Sequence, residues 1–257
     1  MKDPVTDPFR LDGQTALITG GGTGLGLGIA RCMARAGGRV ILVGRRRQIL
    51  ADAAAAIGPA ASFIEHDVND LKAASALVEK TIALTGSALT ILVNNAGIHL
   101  KKFALDTTED EFLAVLKTHV LGSFALTRAV APKMVEQKSG SIIFIASMAS
   151  LFGIPQVIAY SAAKSAYLGM VRTLATELSP QGVRINAIAP GWIDSDMLRA
   201  AFKGDSARAD RILTRTPMHK LGEPDDIGNA AVYLSSSAAK FITGAVLAVD
   251  GGVSIGF

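Results

Sequence analysis

Tyr160 and Lys164 stand four residues apart in a segment rich in Ala, Leu and Met, so a helix there carries both side chains on one face. A phenol beside an ammonium is a proton donor whose pKa should move down from its reference value of ~10, because the positive charge favours the phenolate. Such a donor suits a carbonyl oxygen at the moment hydride reaches its carbon. Ser147 precedes the pair in the stretch SIIFIASMASLFGIPQVIAYSAAK, residues 141–164. Residues 142–146 are an apolar run short enough for a buried parallel strand, and Gly153 and Pro155 break the loop that follows. Ser147 therefore falls at a strand's carboxyl end, where open α/β sheets bind ligands, and its hydroxyl can hydrogen-bond the same oxygen.

Holding these groups together requires an alternation of strands and helices. The runs TALIT, RVILV, SFIEH, LTILV, SIIFI, VRINAIA and AVLAV are β-rich, and Ala- and Leu-rich helical segments separate them. Seven such strands predict an α/β chain with a single-domain Rossmann fold: a doubly wound, seven-stranded parallel sheet with helices on both faces. Residues 1–10, with Pro4, Pro8 and several charges, are expected to form a flexible arm ahead of one dinucleotide-binding catalytic domain over residues 11–257. Residues 192–223 are irregular and charged and run up to Pro224, which should start a helix; a substrate loop would be inserted there.

The first strand leads directly into TGGGTGLG, residues 19–26, ahead of a helix expected over residues 27–36. Glycines allow the tight turn and let the backbone approach a pyrophosphate, which the helix's amino-terminal N–H groups and dipole would then hold. After the second strand come Gly44, Arg45, Arg46 and Arg47, with no acid until Asp52. In dinucleotide-binding folds an Asp or Glu at this point bonds a ribose 2′-hydroxyl, whereas an Arg accommodates a 2′-phosphate. Three arginines at a helix start also oppose the positive end of its dipole unless an anion neutralises them. The pattern favours NADP(H), with Arg45 before Arg46 as the phosphate ligand; NAD(H) stays possible.

Composition narrows the remaining classes. The chain has 257 residues, 49% of them hydrophobic and only 5% aromatic, which suits a parallel sheet covered on both faces. Its single Cys32 allows no internal disulfide and falls in an apolar helical segment, as expected of a buried structural thiol. No stretch reads as a signal peptide or membrane span, so a cytoplasmic location is expected. The net charge of +4 is spread along the chain apart from the arginine cluster, which speaks against nucleic acid as a partner. His66, His99 and His219 show no ligand spacing, so no metal is expected.

The spacing of Ser147, Tyr160 and Lys164, taken with TGGGTGLG and the NNAG of residues 94–97, closely resembles the short-chain dehydrogenase/reductase family from about residue 11 to the VDGG of residues 249–252. The resemblance implies that Ser147, Tyr160 and Lys164 are catalytic. It implies that Gly20, Gly24, Leu25 and Gly26 bind the cofactor, with Asp67 and Val68 beside the adenine. Asn94, Asn95, Ala96 and Gly97 would stabilise the sheet and pass under the adenosine ribose, and Pro190, Gly191, Ile193 and Ser195 would contact the nicotinamide carboxamide. Ser195 replaces the usual Thr and keeps its hydroxyl.

One position departs from the family pattern. Where a helix normally carries Asn in N-x-x-G-x-F, this chain reads His119-Val120-Leu121-Gly122-Ser123-Phe124. The Asn holds a water that continues a proton relay from the lysine, and a neutral imidazole at His119 could hold it too; an imidazole can also become charged near its reference pKa of ~6.5.

The implied reaction is hydride transfer between a nicotinamide cofactor and a carbonyl/secondary alcohol pair. Met148 and Trp192 are expected to touch substrate beside Ser147 and Tyr160, and Leu151, Phe152, Gln156 and Met197 are further pocket candidates. The end of the chain, residues 215–257, is most similar to gluconate 5-dehydrogenase and related sugar-acid members, so a sugar acid or polyol is the expected substrate. A 3-oxoacyl-carrier-protein reductase is the alternative, and an NADP(H)-binding sensor with decayed catalysis is the alternative from another class. Family members are commonly homotetramers, and the apolar helices expected over residues 113–131 and 159–178, with the carboxyl-terminal strand, would supply two-fold interfaces.

Overall fold

The computed structural model describes residues 7–195, 198 and 206–256. Seven strands form one all-parallel sheet in the order β3-β2-β1-β4-β5-β6-β7. They are β1 Thr15–Thr19, β2 Arg39–Gly44, β3 Ala61–Glu65, β4 Ile91–Asn94, β5 Gly140–Ile145, β6 Val183–Pro190 and β7 Val246–Val249. Strand β1 pairs with β2 on one side and β4 on the other, so the chain reverses its winding at β1. The helices described between them are α1 Gly24–Arg35, α2 Arg47–Ile57, α3 Ala74–Thr85, α4 Glu109–Leu116, α5 Gly122–Glu136, α6 Ile158–Leu178, α7 Ser206–Arg215 and α8 Pro224–Ser235.

The strands are apolar on both faces because both are covered. Alternate residues such as Ala16, Ile18, Val40, Leu42 and Val93 pack with Ile29 and Met33 of α1 and Ile227 of α8. Their neighbours Leu17, Ile41, Val43 and Leu92 point the other way, to Leu77 of α3, Val130 of α5 and Val171 of α6. Period-two alternation thus appears as two separate cores rather than as one wet and one dry face.

Three local features differ from expectation. Helix α1 starts at Gly24, three residues before the position expected, because its first turn is built from the glycine motif itself. The helix expected over residues 113–131 extends over Glu109–Glu136 but is interrupted by a π-helical turn at Lys117–Leu121, which contains His119. That span is long enough to cross a membrane and its most apolar 18 residues have the hydropathy to do so, yet half of those residues are buried within the domain. In the expected arm, the Pro8 carbonyl accepts from Ala238 N–H at 3.0 Å and from Ser237 Oγ at 3.0 Å, and Phe9 lies 6.0 Å from the Tyr233 ring; residues 1–6 lie outside the described residues.

Cys32 is buried, as expected of a structural thiol, at the contact of α1 with α8. Two glycines bring these helices together: a Cβ on Gly28 would lie 2.6 Å from Pro224 Cβ, and one on Gly228 would lie 2.4 Å from Cys32 Sγ and 2.8 Å from the Gly28 carbonyl. Overpacking of this kind costs about 1–3 kcal/mol. Gly228→Ala should therefore lower the unfolding free energy by about that amount, and adding Cys32→Ala should recover part of it; thermal unfolding of the two variants checks this.

Candidate active site

A cleft of about 1000 Å³ opens at the carboxyl ends of the strands. This is where a doubly wound sheet leaves room for a ligand, since the connections on either side of the reversal at β1 diverge. Its floor is joined across that reversal by Thr19. The Thr19 hydroxyl donates to the Val93 carbonyl at 3.2 Å and accepts from the N–H groups of Asn95 and Ala96, both at 3.0 Å. Asn95 Nδ2 returns a bond to the Thr19 carbonyl at 2.8 Å. The glycine turn and the NNAG segment are thereby tied into one wall.

Gly20, Gly24, Leu25 and Gly26 line the cleft. Gly20 and Gly24 take positive φ values of 66° and 53°. A Cβ on Gly26 would fall 2.2 Å from the Gly20 carbonyl, so only glycine allows the turn to close. Thr23 makes no side-chain cap bond and no acidic residue stands in the first turn of α1, so its N–H donors are unclaimed by side chains. Helix α2 repeats the arrangement: Arg46 is an N-cap without a side-chain bond, the first turn has no acid, and Arg45 and Arg46 are exposed at the cleft wall. Both helix starts fit an anionic group, and two of them along one cleft fit a dinucleotide with an additional phosphate.

Asp67, Val68, Ala96, Gly97, Pro190, Gly191, Trp192, Ile193 and Ser195 also line the cleft. Asp67 accepts from Asn69 N–H at 2.9 Å, and Ser195 Oγ accepts from Leu198 N–H at 3.2 Å. Asn94 does not line it. Its buried side chain donates to Thr127 Oγ1 at 3.1 Å beneath the cleft floor. Among the expected pocket residues Met148 is present, whereas Leu151, Phe152 and Gln156 are not part of the lining. Phe152 instead lies under the Arg215 guanidinium at 4.5 Å, joining the loop after β5 to α7. Met197 lies outside the described residues.

Ser147, Tyr160 and Lys164 converge in this cleft. Ser147 follows the end of β5 and accepts from Ala149 N–H at 3.1 Å; Tyr160 and Lys164 project from the first turns of α6. Burial raises the Tyr160 phenol above its ordinary value, and a hydrogen bond with Ser147 pulls it the other way. The expectation that Lys164 lowers this phenol is therefore corrected: desolvation outweighs any influence of the amine, and the opposing influence comes from Ser147. Lys164 is itself affected. Its side chain is 3% exposed, its Nζ donates to the Ile145 carbonyl at 2.5 Å, and burial brings its pKa down from 10.5 to about 7.

His119 is not in the cleft wall but directly behind it. Its Nε2 meets the Ile98 backbone, 3.1 Å from the N–H and 2.8 Å from the carbonyl, while Nδ1 is buried with no protein partner. The ring stands edge-on to Tyr160 at 84°, with centroids 5.6 Å apart. Burial first, then the nearby Lys164 charge, bring its pKa to about 3. The imidazole expected to charge on mild acidification therefore stays neutral across any ordinary assay pH. Sequence reasoning missed two neighbours. His99 lies 5.0 Å from the Tyr160 ring at the cleft, and Tyr167 lies 4.9 Å from Lys164 Nζ beneath it. Tyr167 was detectable in principle, since it shares the helix face of Tyr160 and Lys164; His99 carries no comparable signal.

The family model described as "Enoyl-(Acyl carrier protein) reductase" (adh_short_C2) matches residues 20–254. The chain belongs to the short-chain dehydrogenase/reductase family, a family of oxidoreductases. Within it, the chain is 39% identical over 250 residues to galactitol 2-dehydrogenase (L-tagatose-forming) of Cereibacter sphaeroides, covering 96% of this chain and 97% of that one. It is 36% identical over 252 residues to 2-dehydro-3-deoxy-D-gluconate 5-dehydrogenase of Dickeya dadantii, covering 96% and 98%. The crystal structure of a gluconate 5-dehydrogenase from Burkholderia cenocepacia, in complex with NADP and tartrate, superposes with a TM-score of 0.92 at 33% identity, over 98% of this chain and 99% of that one.

The depressed Lys164 gives a measurable sign. Below about pH 7 the amine is charged in both folded and unfolded chains, and the full cost of burying it is present; as pH rises from about 7 towards 10.5 the unfolded chain binds more protons and that cost is relieved. Lys164→Met should therefore raise the melting temperature, by more at pH 6 than at pH 9. An equal gain at both values would show that the amine titrates normally.

Proposed function

We propose that the protein interconverts a secondary alcohol and a ketone on a sugar acid, using NADP(H) as the hydride carrier. The observation that supports this reading best is the convergence of Ser147, Tyr160 and Lys164 at one end of a cleft whose other end carries two uncapped helix starts and exposed Arg45 and Arg46. Bound NADP(H) would supply the hydride to the ketone, or accept it from the alcohol. The first turn of α1 would hold the pyrophosphate and Arg45 and Arg46 the 2′-phosphate, while Asp67 and Val68 would flank the adenine. Ser147 would hold the carbonyl oxygen, and the Tyr160 hydroxyl would give it a proton in reduction and take one back in oxidation. Lys164 would bond the nicotinamide ribose and, when protonated, favour the phenolate left on Tyr160.

Charge at the cleft favours an acid over a neutral polyol. The segment after NNAG is bound to the loop before α6, with Lys102 N–H donating to the Gln156 carbonyl at 2.8 Å. It places His99 and Lys101 in the lining, His99 5.0 Å from the Tyr160 ring, and among the described lining residues the one carboxylate is Asp67, in the connection after β3. Met148 and Trp192 add apolar surface to the same lining. The proposal includes a cytoplasmic homotetramer acting on small molecules, with neither nucleic acid nor membrane as partner. Exposed Leu113, Leu121 and Phe124 on the α4–α5 span and Ile158 on α6 would lie at its interfaces.

Four measurements test this reading. Loss of a charge-assisted bond and added repulsion should weaken NADP(H) binding to Arg45→Asp by roughly ten- to a hundredfold, with NAD(H) far less affected; equal wild-type affinities for the two cofactors would count against Arg45. Tyr160→Phe should lose turnover while cofactor titrations stay close to wild type. In a panel of sugar acids, polyols and 3-oxoacyl thioesters, kcat/KM should be highest for an acid, and Lys101→Glu should raise KM for the acid more than for a polyol. Sedimentation at micromolar concentration should show a tetramer, and a monomer would remove that part of the proposal.

A further inference from the structure

We propose that Tyr167 and His119 form one positioning unit that fixes the Tyr160 ring and the Lys164 amine, so that the Tyr167 hydroxyl governs turnover without lining the cleft. The inference rests on the alcohol/ketone chemistry proposed above and concerns how its proton donor is held.

Tyr160, Lys164 and Tyr167 form a stripe along α6. The Lys164 amine sits between two aromatic rings, 5.6 Å from the Tyr160 centroid and 4.9 Å from that of Tyr167. Tyr167 is fully buried, and its hydroxyl reaches across to the His119 carbonyl at 2.9 Å. That carbonyl belongs to the π-helical turn and also accepts from Ser123 Oγ at 2.6 Å. A π turn interrupts the regular helical ladder and persists where its groups find other partners; here a phenol from another helix is one of them. The turn in turn aims the His119 ring edge-on at Tyr160.

His119 cannot retreat. A Cβ on Gly97 would lie 2.1 Å from its Cε1, so the imidazole already fills the space that the glycine leaves, and the Ile98 backbone holds its Nε2. The contacts close a circuit from Tyr160 through Lys164 and Tyr167 to His119 and back to Tyr160. Removing the Tyr167 hydroxyl takes away one of the two side-chain bonds to the His119 carbonyl, leaving that of Ser123, and so loosens the footing of the wedge against the Tyr160 phenol. Displacements of an ångström or less at such a group change rates by up to about a hundredfold.

The test is a double-mutant cycle on the intact chain with bound cofactor. Tyr167→Phe keeps the ring beside Lys164 and removes only the hydroxyl. It should lower kcat about tenfold while KM for cofactor and substrate changes by no more than about threefold, since the hydroxyl contacts neither ligand and the ring beside Lys164 remains. His119→Asn should give a comparable fall. The double variant should fall no more than about twofold below the worse single, because both changes break the same support. Wild-type kcat in Tyr167→Phe, or losses that multiply, overturns the unit and leaves the proposed reaction standing. A wild type inactive on the whole substrate panel overturns both. Should Tyr167→Phe fail to fold, Gly97→Ala tests the same wedge: it should abolish turnover, and adding His119→Ser should restore at least tenfold, whereas no recovery overturns the proposal.

Discussion

A lysine amine buried inside a protein must find an acceptor or give up its charge, and Lys164 does some of each. It donates to the carbonyl of Ile145, the last residue of β5, and its pKa falls to about 7. Much of the architecture around the Tyr160 phenol follows from seating that amine. Helix α6 has to lie close enough to the end of β5 to reach a strand carbonyl, which brings Tyr160, one turn earlier, beside Ser147 in the loop that continues the same strand. The rings of Tyr160 and Tyr167 then take the place of water around the amine.

Desolvation shapes the neighbouring groups in the same direction. It raises Tyr160 and Tyr167, lowers His119 to about 3, and so leaves the cluster around Lys164 neutral apart from the amine. A neutral cluster is the less costly arrangement around a buried cation that no carboxylate among the described residues pairs with. Cationic side chains stand further out, where water still screens them: Arg45 and Arg46 on one wall, Lys101 on another. The cleft therefore carries positive charge along its rim, while the groups around Lys164 in its interior are neutral.

The second constraint lies at the reversal of the sheet. Thr19 ends β1 with a hydroxyl that serves three backbone groups of the neighbouring β4 connection, and Asn95 answers from that side. Those bonds satisfy polar backbone at the point where the sheet ladder stops and the two connections part. They hold the glycine turn against the NNAG segment, so the cleft floor is fixed by two short side chains, Thr19 and Asn95, bonded to backbone across the reversal.

Much of this was written locally. Apolar runs with turn residues between them determined seven strands and their parallel arrangement, because a strand buried on both faces must be apolar throughout. The glycines of residues 19–26, the arginines after β2 and the Tyr160–Lys164 spacing also marked residues that the fold brings to the lining of one cleft. Whatever depended on burial or on distant partners was decided by the tertiary structure. Lys164 looked like the group that tunes Tyr160 until desolvation proved the larger influence on both. Asn94 matched a cleft motif yet turns under the floor to Thr127, and His119 matched a water-holding position yet is wedged, neutral, between Gly97 and Tyr160. The π turn that carries His119, and the Tyr167 hydroxyl that reaches it from 48 residues away, arise only when α6 packs against the α4–α5 span. Sequence patterns record which face of an element is buried; the dielectric a side chain meets, and the partner it finds across the fold, exist only once the elements have packed.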